Sequence, residues 1–241
     1  MLTNVMLTSR METKGLVNMK LSKIIVASLA VLSCACLVQS VNAIPTLTLS
    51  DGTTTIMVTD NGVGDLDLTL GSVVFVGPVG SNFNINASAG LTKPGDGSAS
   101  APAIDLSSLN HALGAGTLTI TFSETGFTAF PGILTGQIGG TIAPGGSLTN
   151  IVMQNALNLV TNGPFGPGAF SGSNSAALID GAPYSLTQTA ILTFGARGGS
   201  TSFDAMGSVP SVPDGGMTVT MLGIGLLAVG AARRIYRRAT V

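Results

Sequence analysis

The sequence predicts an all-β fold, an antiparallel β-sandwich-like ectodomain carried between an N-terminal signal peptide helix and a C-terminal transmembrane helix. Three observations predict it. Apolar and polar residues alternate with period two through most of residues 44–204, the signature of strands with one buried face. Each alternating run is closed by a cluster of Gly, Pro, Asn or Asp, the residues that turns require. The two long stretches without that rhythm are apolar and lie at the ends of the chain.

Within the ectodomain, Ile56 to Val58 opens the strand series and Asp60-Asn61-Gly62 closes it. Leu66, Leu68 and Leu70 alternate with Asp67 and Thr69, and Val74 to Val76 follows. Phe83, Ile85 and Ala87 alternate with Asn82, Asn84 and Asn86, up to the turn Lys93-Pro94-Gly95-Asp96-Gly97. Leu106, Leu109 and Leu113 share one face at helical spacing and predict a short helix over 106–113. Leu118, Ile120 and Phe122 against Thr117, Thr119 and Thr121 form the clearest strand. Leu134 to Ile142 and Leu186 to Phe194 are two more. Gly163 to Ser175, rich in Gly, Pro, Ser and Asn, reads as a long surface loop around Phe165 and Phe170, and 205–211 reads as a linker. The expected result is a sandwich of about seven to ten strands with a Phe-rich core.

The two ends carry export signals. Met19-Lys20-Leu21-Ser22-Lys23 is a basic region, Ile24 to Val38 is apolar, and Val41-Asn42-Ala43 ends on the small residues of a cleavage site. Residues 19–43 therefore read as a signal peptide cut after Ala43, and 1–18 as an over-extended start. Both cysteines, Cys34 and Cys36, fall in the apolar region, so the mature protein would hold neither disulfide nor thiolate site. Val31-Leu32-Ser33-Cys34 also admits a lipobox reading, with a lipid on Cys34. At the other end, Val212, Pro213, Asp214, Gly215 and Gly216 form an open turn before an apolar run from Met217 to Ala232, and Arg233, Arg234, Arg237 and Arg238 follow it. The run is 16 residues, about 24 Å of helix at ~1.5 Å per residue, short of a ~30 Å hydrocarbon core. A permanent anchor would usually be longer, and the arginines would hold its end in the cytoplasm.

This order of motif, helix and basic cluster resembles the PEP-CTERM class of bacterial sorting signals, in the variant written VPD followed by small residues. Gly215 stands where Ser is commoner in that variant. The resemblance covers residues 212–238. It implies export through the signal peptide, retention by the helix and cleavage near the motif by an exosortase, a membrane-embedded cysteine transpeptidase. Signal peptidase, exosortase and the membrane are thus the implied processing partners. Sorting systems of this class accompany exopolysaccharide production, which makes the cell surface and its matrix the expected location and exopolysaccharide a further partner.

Charge excludes other functions. Between the export segments, nine acidic residues face two basic ones, Lys93 and Arg197, a net of about minus seven. A nucleic-acid partner is excluded, because nothing could neutralise phosphates. His111 is the sole histidine, so no His-based metal site can be built within one chain, and no Gly-x-Ser-x-Gly elbow occurs. Glu124 with Asp180 or Asp204 is the obvious glycosidase-type carboxylate pair. Sugar sites usually stack their ligand on Trp or Tyr, yet the chain has no Trp and the ectodomain only Tyr184. Asp60, Asp65 and Asp67, in a Gly-rich turn with Asn61, form a weak calcium candidate whose spacing matches neither the EF-hand nor the nonapeptide repeat. The sequence therefore predicts no enzyme and no cofactor, and a structural or interaction role. A carbohydrate-binding or weakly catalytic surface module is the alternative, which a concave patch uniting Tyr184, exposed Phe and two acids would favour.

Overall fold

A computed structural model describes residues 44–210 and 220–227. The first range folds into twelve strands: β1 (Thr46–Ser50), β2 (Thr55–Thr59), β3 (Ser72–Val79), β4 (Phe83–Thr92), β5 (Ala103–Ala112), β6 (Gly116–Phe127), β7 (Ile133–Ile142), β8 (Gly146–Gln154), β9 (Leu157–Phe165), β10 (Gly168–Ala177), β11 (Tyr184–Phe194) and β12 (Gly199–Ser208). They build two six-stranded antiparallel sheets packed as a sandwich. The first sheet has the order β2-β1-β6-β11-β8-β9 and the second β10-β7-β12-β5-β4-β3. The last two strands in sequence thus occupy the middle of the two sheets.

Alternation generates the core as expected along β6, where Leu118, Ile120 and Phe122 are fully buried while the threonines between them face outward. Outside, those threonines meet hydroxyls of β11 across the ladder, Thr121 with Thr189 at 3.2 Å and Ser123 with Thr187 at 2.9 Å. Leu, Ile and Val, not Phe, fill most of the interior: Leu47, Leu49, Val73, Ile85, Ile104, Leu106 and Leu148 are all buried. Gly90 on β4 lies directly beneath the Phe122 ring, and a Cβ there would run into it. The interior is not purely apolar. Ser88, Asn110, Asn150, Asn162, Gln188 and Thr201 point inward, and each has a side-chain atom without a protein hydrogen-bond partner.

Several expectations are corrected. Residues 106–113 are not a helix: Leu106 lies on β5 with Ser108, Asn110 and Ala112 on the inner face, while Leu109 and Leu113 are exposed. Strand parity thus separates leucines that helical spacing would have grouped. The segment 163–175 is not a loop, because β9 and β10 occupy most of it, and Phe165 stacks on Phe170 with centroids 4.6 Å apart at the corner where the sheets meet. Leu66, Leu68 and Leu70 belong to no strand and are exposed in the β2–β3 loop. The expected linker begins too early, since β12 runs to Ser208 and Val209 is buried.

Residues 1–43 lie outside the described residues, including the signal peptide, Cys34 and the cleavage site at Ala43. So do the motif Val212 to Gly216 and the arginines from Arg233 to Arg238. Of the expected membrane run 217–232, residues 220–227 are described, and they are helical. Among the described residues no helix is long and apolar enough to cross a membrane.

Candidate functional site

The acidic turn is where sequence reasoning placed its ligand candidate, and its carboxylates are engaged with the backbone. The Asp65 carboxylate accepts the amide N–H groups of Asn61 at 2.8 Å, Asp67 at 3.0 Å and Val74 at 2.9 Å. Asp60 accepts from the Gly71 amide at 2.9 Å, across the neck of the loop, and Asp67 from the Thr69 amide at 3.0 Å. Hydroxyls of Ser72 and Thr69 with that amide hold the Asp67 carboxyl below its usual range. Carboxylates spent on backbone donors fix the loop's shape, and no group of three His, Cys, Asp or Glu among the described residues could hold a metal ion.

The proposed carboxylate pair is not brought together. Glu124 points inward from β6 and is 1 % exposed. Its Oε1 accepts the Thr125 amide at 2.7 Å and meets Lys93 Nζ at 3.1 Å, and burial is the main cause raising its pKa. The Lys93 ammonium also sits 5.0 Å from the centre of the Phe127 ring. Asp204 lies on the other sheet's outer face, and Asp180 accepts from Asn155 at 2.9 Å in the β10–β11 loop. Tyr184 is buried, its hydroxyl donating to the Ala129 carbonyl at 3.0 Å, with burial pushing its pKa up to about 12. It therefore offers no stacking face to a sugar. His111 is an exposed residue on β5 whose Nδ1 lies 2.9 Å from Ser200 Oγ.

A concave feature lies elsewhere, and it escaped the sequence reading. An open groove of about 560 Å³ runs over the outer face of the second sheet, lined by Asp105, Gln137, Ser171, Ser173, Asp204 and Met206 among others. Register builds it. Met206 on β12 faces Asp105 on β5 and Gln137 on β7, while Asp204 faces Ser107 and Gly139 one row on. β10 adds Ser171 and Ser173 opposite Gly139 and Gln137. Burial, the nearby Asp204 charge and then Asp96 push the Asp105 carboxyl up to about 7. Near neutrality it can therefore donate or accept a hydrogen bond. The groove holds carboxylates, an amide and hydroxyls but no cation and no aromatic ring, which suits neutral hydroxyl-bearing ligands and repels anions. Nothing in the sequence could have paired Asp105 with Asp204 before β5 and β12 were known to be neighbours.

Residues 211–236 match the family model of the VPDSG-CTERM motif. The chain thus ends in a sorting signal of the exosortase type, which implies exosortase processing and an exported, cell-surface protein. No curated protein matches the chain. Among solved structures it is similar to a carbohydrate-binding module in complex with β-1,4-galactotriose, at 7% identity and TM-score 0.36, covering 54% of this chain and 89% of that one. It is similar to a family 4 carbohydrate-binding module at 9% identity and TM-score 0.31, covering 57% and 86%. The adhesin domain of Lys-gingipain from Porphyromonas gingivalis W83 follows at 9% identity and TM-score 0.26, covering 57% and 96%. These are distant β-sandwich likenesses and carry no argument about what this chain binds.

Proposed function

We propose that this chain is an exported, non-catalytic protein of the bacterial cell surface or extracellular matrix, with a structural or interaction role among exopolysaccharides. In this reading the signal peptide is removed after Ala43, residues 217–232 span the membrane with the arginines inside, and an exosortase cuts at Val212 to Gly216. The carrying observation is the sorting motif over 211–236. A second observation supports it. In the helical segment 220–227, Met221, Leu222, Ile224, Leu226 and Leu227 are exposed and distributed round the whole helix, as suits a helix surrounded by lipid. Intact mass spectrometry of the protein from its own host's surface and medium tests the reading, with Asp214→Ala as comparison. A mature species from Ile44 to within Val212–Gly216, lost in the variant, supports it. A species still ending at Val241 in the membrane, unchanged by the substitution, overturns it.

The groove beside Asp105 and Asp204 favours one second reading, a site for neutral glycan chains. Titration of the domain with neutral oligosaccharides, comparing the parent with the double variant Asp105→Asn, Asp204→Asn, tests it. Binding that the double variant leaves unchanged removes it.

A further inference from the structure

The twelve strands alternate strictly in direction, so every turn lies at one of two ends of the sandwich. Both ends of the described domain, Ile44 and Pro210, leave from the same end. Thr46 pairs with Thr59 and Ser123 there, and Ser208 pairs with Ala103 and Thr135. The loops 60–71, 93–102, 128–132, 155–156 and 178–183 share that end, and hydrogen bonds tie several together. Thr128 N donates to Ala99 O, Leu178 N to Gly132 O, and Val209 N to Pro102 O.

Exposed large apolar side chains collect at this end. Val63 is 99% and Leu68 79% exposed, and Leu66, Leu70, Phe130 and Ile179 are exposed as well. At the opposite end, among the described residues, Leu113 is the one exposed large apolar side chain in a turn. The contrast is not loop slack. Asp60, Asp65 and Asp67 staple the β2–β3 loop through its own amides, which holds its leucines outward instead of letting them fold onto the domain.

We infer that this end of the sandwich seats on the lipid bilayer while the tail is in place, inserting the β2–β3 loop leucines at the interface. The inference rests on the reading that residues 217–232 span the membrane. Chain length selects the bilayer as occupant. Val209 is buried and bonded to Pro102, and Met217 begins the apolar run. The intervening backbone spans at most ~28 Å when fully extended at ~3.5 Å per residue. A ten-residue strand such as β7 is itself ~33 Å long, so the far end cannot reach the bilayer unless the domain lies down. Tethering also raises the local concentration of the loop at the surface, so weak insertion suffices. The loop's charges are all acidic, so contact depends on apolar insertion and gains nothing from anionic lipid.

The chain has no Trp, so one introduced Trp reports its own surroundings. The full chain is reconstituted in phosphatidylcholine–phosphatidylethanolamine vesicles with and without brominated phosphatidylcholine, as Leu68→Trp, Val63→Trp, Leu113→Trp and Leu222→Trp. Expected is a blue-shifted emission quenched roughly twofold for the Leu68 and Val63 variants, as for Trp at a membrane interface, with Leu113→Trp unquenched. Leu222→Trp, in the tail, separates the two readings. If it is quenched while Leu68→Trp and Val63→Trp match Leu113→Trp, the seating is overturned and the membrane tail stands. Such a result would move the apolar end onto a protein partner such as the processing enzyme, which the vesicles lack. If Leu222→Trp is itself unquenched, the membrane tail is overturned, and with it the basis of the seating.

Discussion

Asp105→Asn isolates the electrostatics of the groove. In the folded domain the Asp105 carboxyl is pushed from 3.8 up to about 7, first by burial, then by Asp204 and Asp96. A folded pKa above the unfolded one means that the native state binds the extra proton. The favourable contribution is therefore fully present below pH 3.8 and is lost as pH rises through about 7. Above pH 7 the wild type carries a carboxylate in a poor environment, and the neutral amide removes that penalty. Taken at face value, three units at ~1.36 kcal/mol each give an upper limit of about 4 kcal/mol. The groove is open to water, however, and screening there reduces the expected gain to about 1–2 kcal/mol. Urea unfolding of the 44–210 domain, followed by circular dichroism at about pH 3, below the unfolded value of 3.8, and at about pH 8.5, checks it. The variant should match the wild type at the lower pH and unfold at higher urea at the upper one. An equal shift at both pH values would refute the electrostatic account and assign the effect to packing or to the amide's own hydrogen bonds.

Two further substitutions test the interior. Gly90→Ala drives a methyl group into the buried Phe122 ring. Overpacking of about 1–3 kcal/mol should lower the melting temperature by roughly 3–10 °C in calorimetry; an unchanged melting temperature would mean that the ring has room to move. Lys93→Met leaves Glu124 buried without its cation and should cost about 2–4 kcal/mol. Glu124→Gln keeps the oxygen that accepts the Thr125 amide and frees a lysine that is already 18 % exposed, so it should cost less by chemical denaturation. The reverse order would contradict the view that the buried carboxylate is the costly partner.

The strands legible in the sequence are those in which inward apolar and outward polar residues are cleanly separated. In β6, Leu118, Ile120 and Phe122 point in and threonines point out, so period two survives unblurred. β5 breaks the rule on both faces. Ser108 and Asn110 point inward and Leu109 outward, which destroys the two-residue rhythm and leaves three leucines at a helical interval. Leu66, Leu68 and Leu70 fail for the opposite reason. Their rhythm is perfect, but beyond its closing turn the segment meets β3 through a single backbone bond, Leu66 N to Val74 O at 3.0 Å, while the Asp65 carboxylate takes the Val74 amide and the Asp60 carboxylate the Gly71 amide, so no ladder extends along it. β9 and β10 are sheet edges whose Gly, Ser and Asn face water on a wide front, and composition alone does not tell them from a loop. The sorting motif was legible because its meaning lies in linear order, motif then helix then arginines. The groove was not, because it arises from register among β5, β7, β10 and β12.

The strand order also ties folding to the tail. β12, the last strand, pairs with both β7 and β5, and β11 pairs with both β6 and β8. Until residues 199–208 have emerged, the second sheet is two separate pieces, β10-β7 and β5-β4-β3, whose facing edges are unpaired. Phe203 and Ala205 are also missing from the core at that stage. Because these pairings are distant in sequence, they close late and slowly. A tail that halts in the membrane directly after β12 would hold the chain at the surface during that step, when exposed edges are most prone to pair with other copies. A domain ending at Gly198 should therefore lose cooperative unfolding altogether, not merely stability. Thermal circular dichroism of residues 44–198 against 44–210 decides it: a sharp transition in the shorter chain would mean that the two pieces fold without their central strand, and the coupling to the tail would fail.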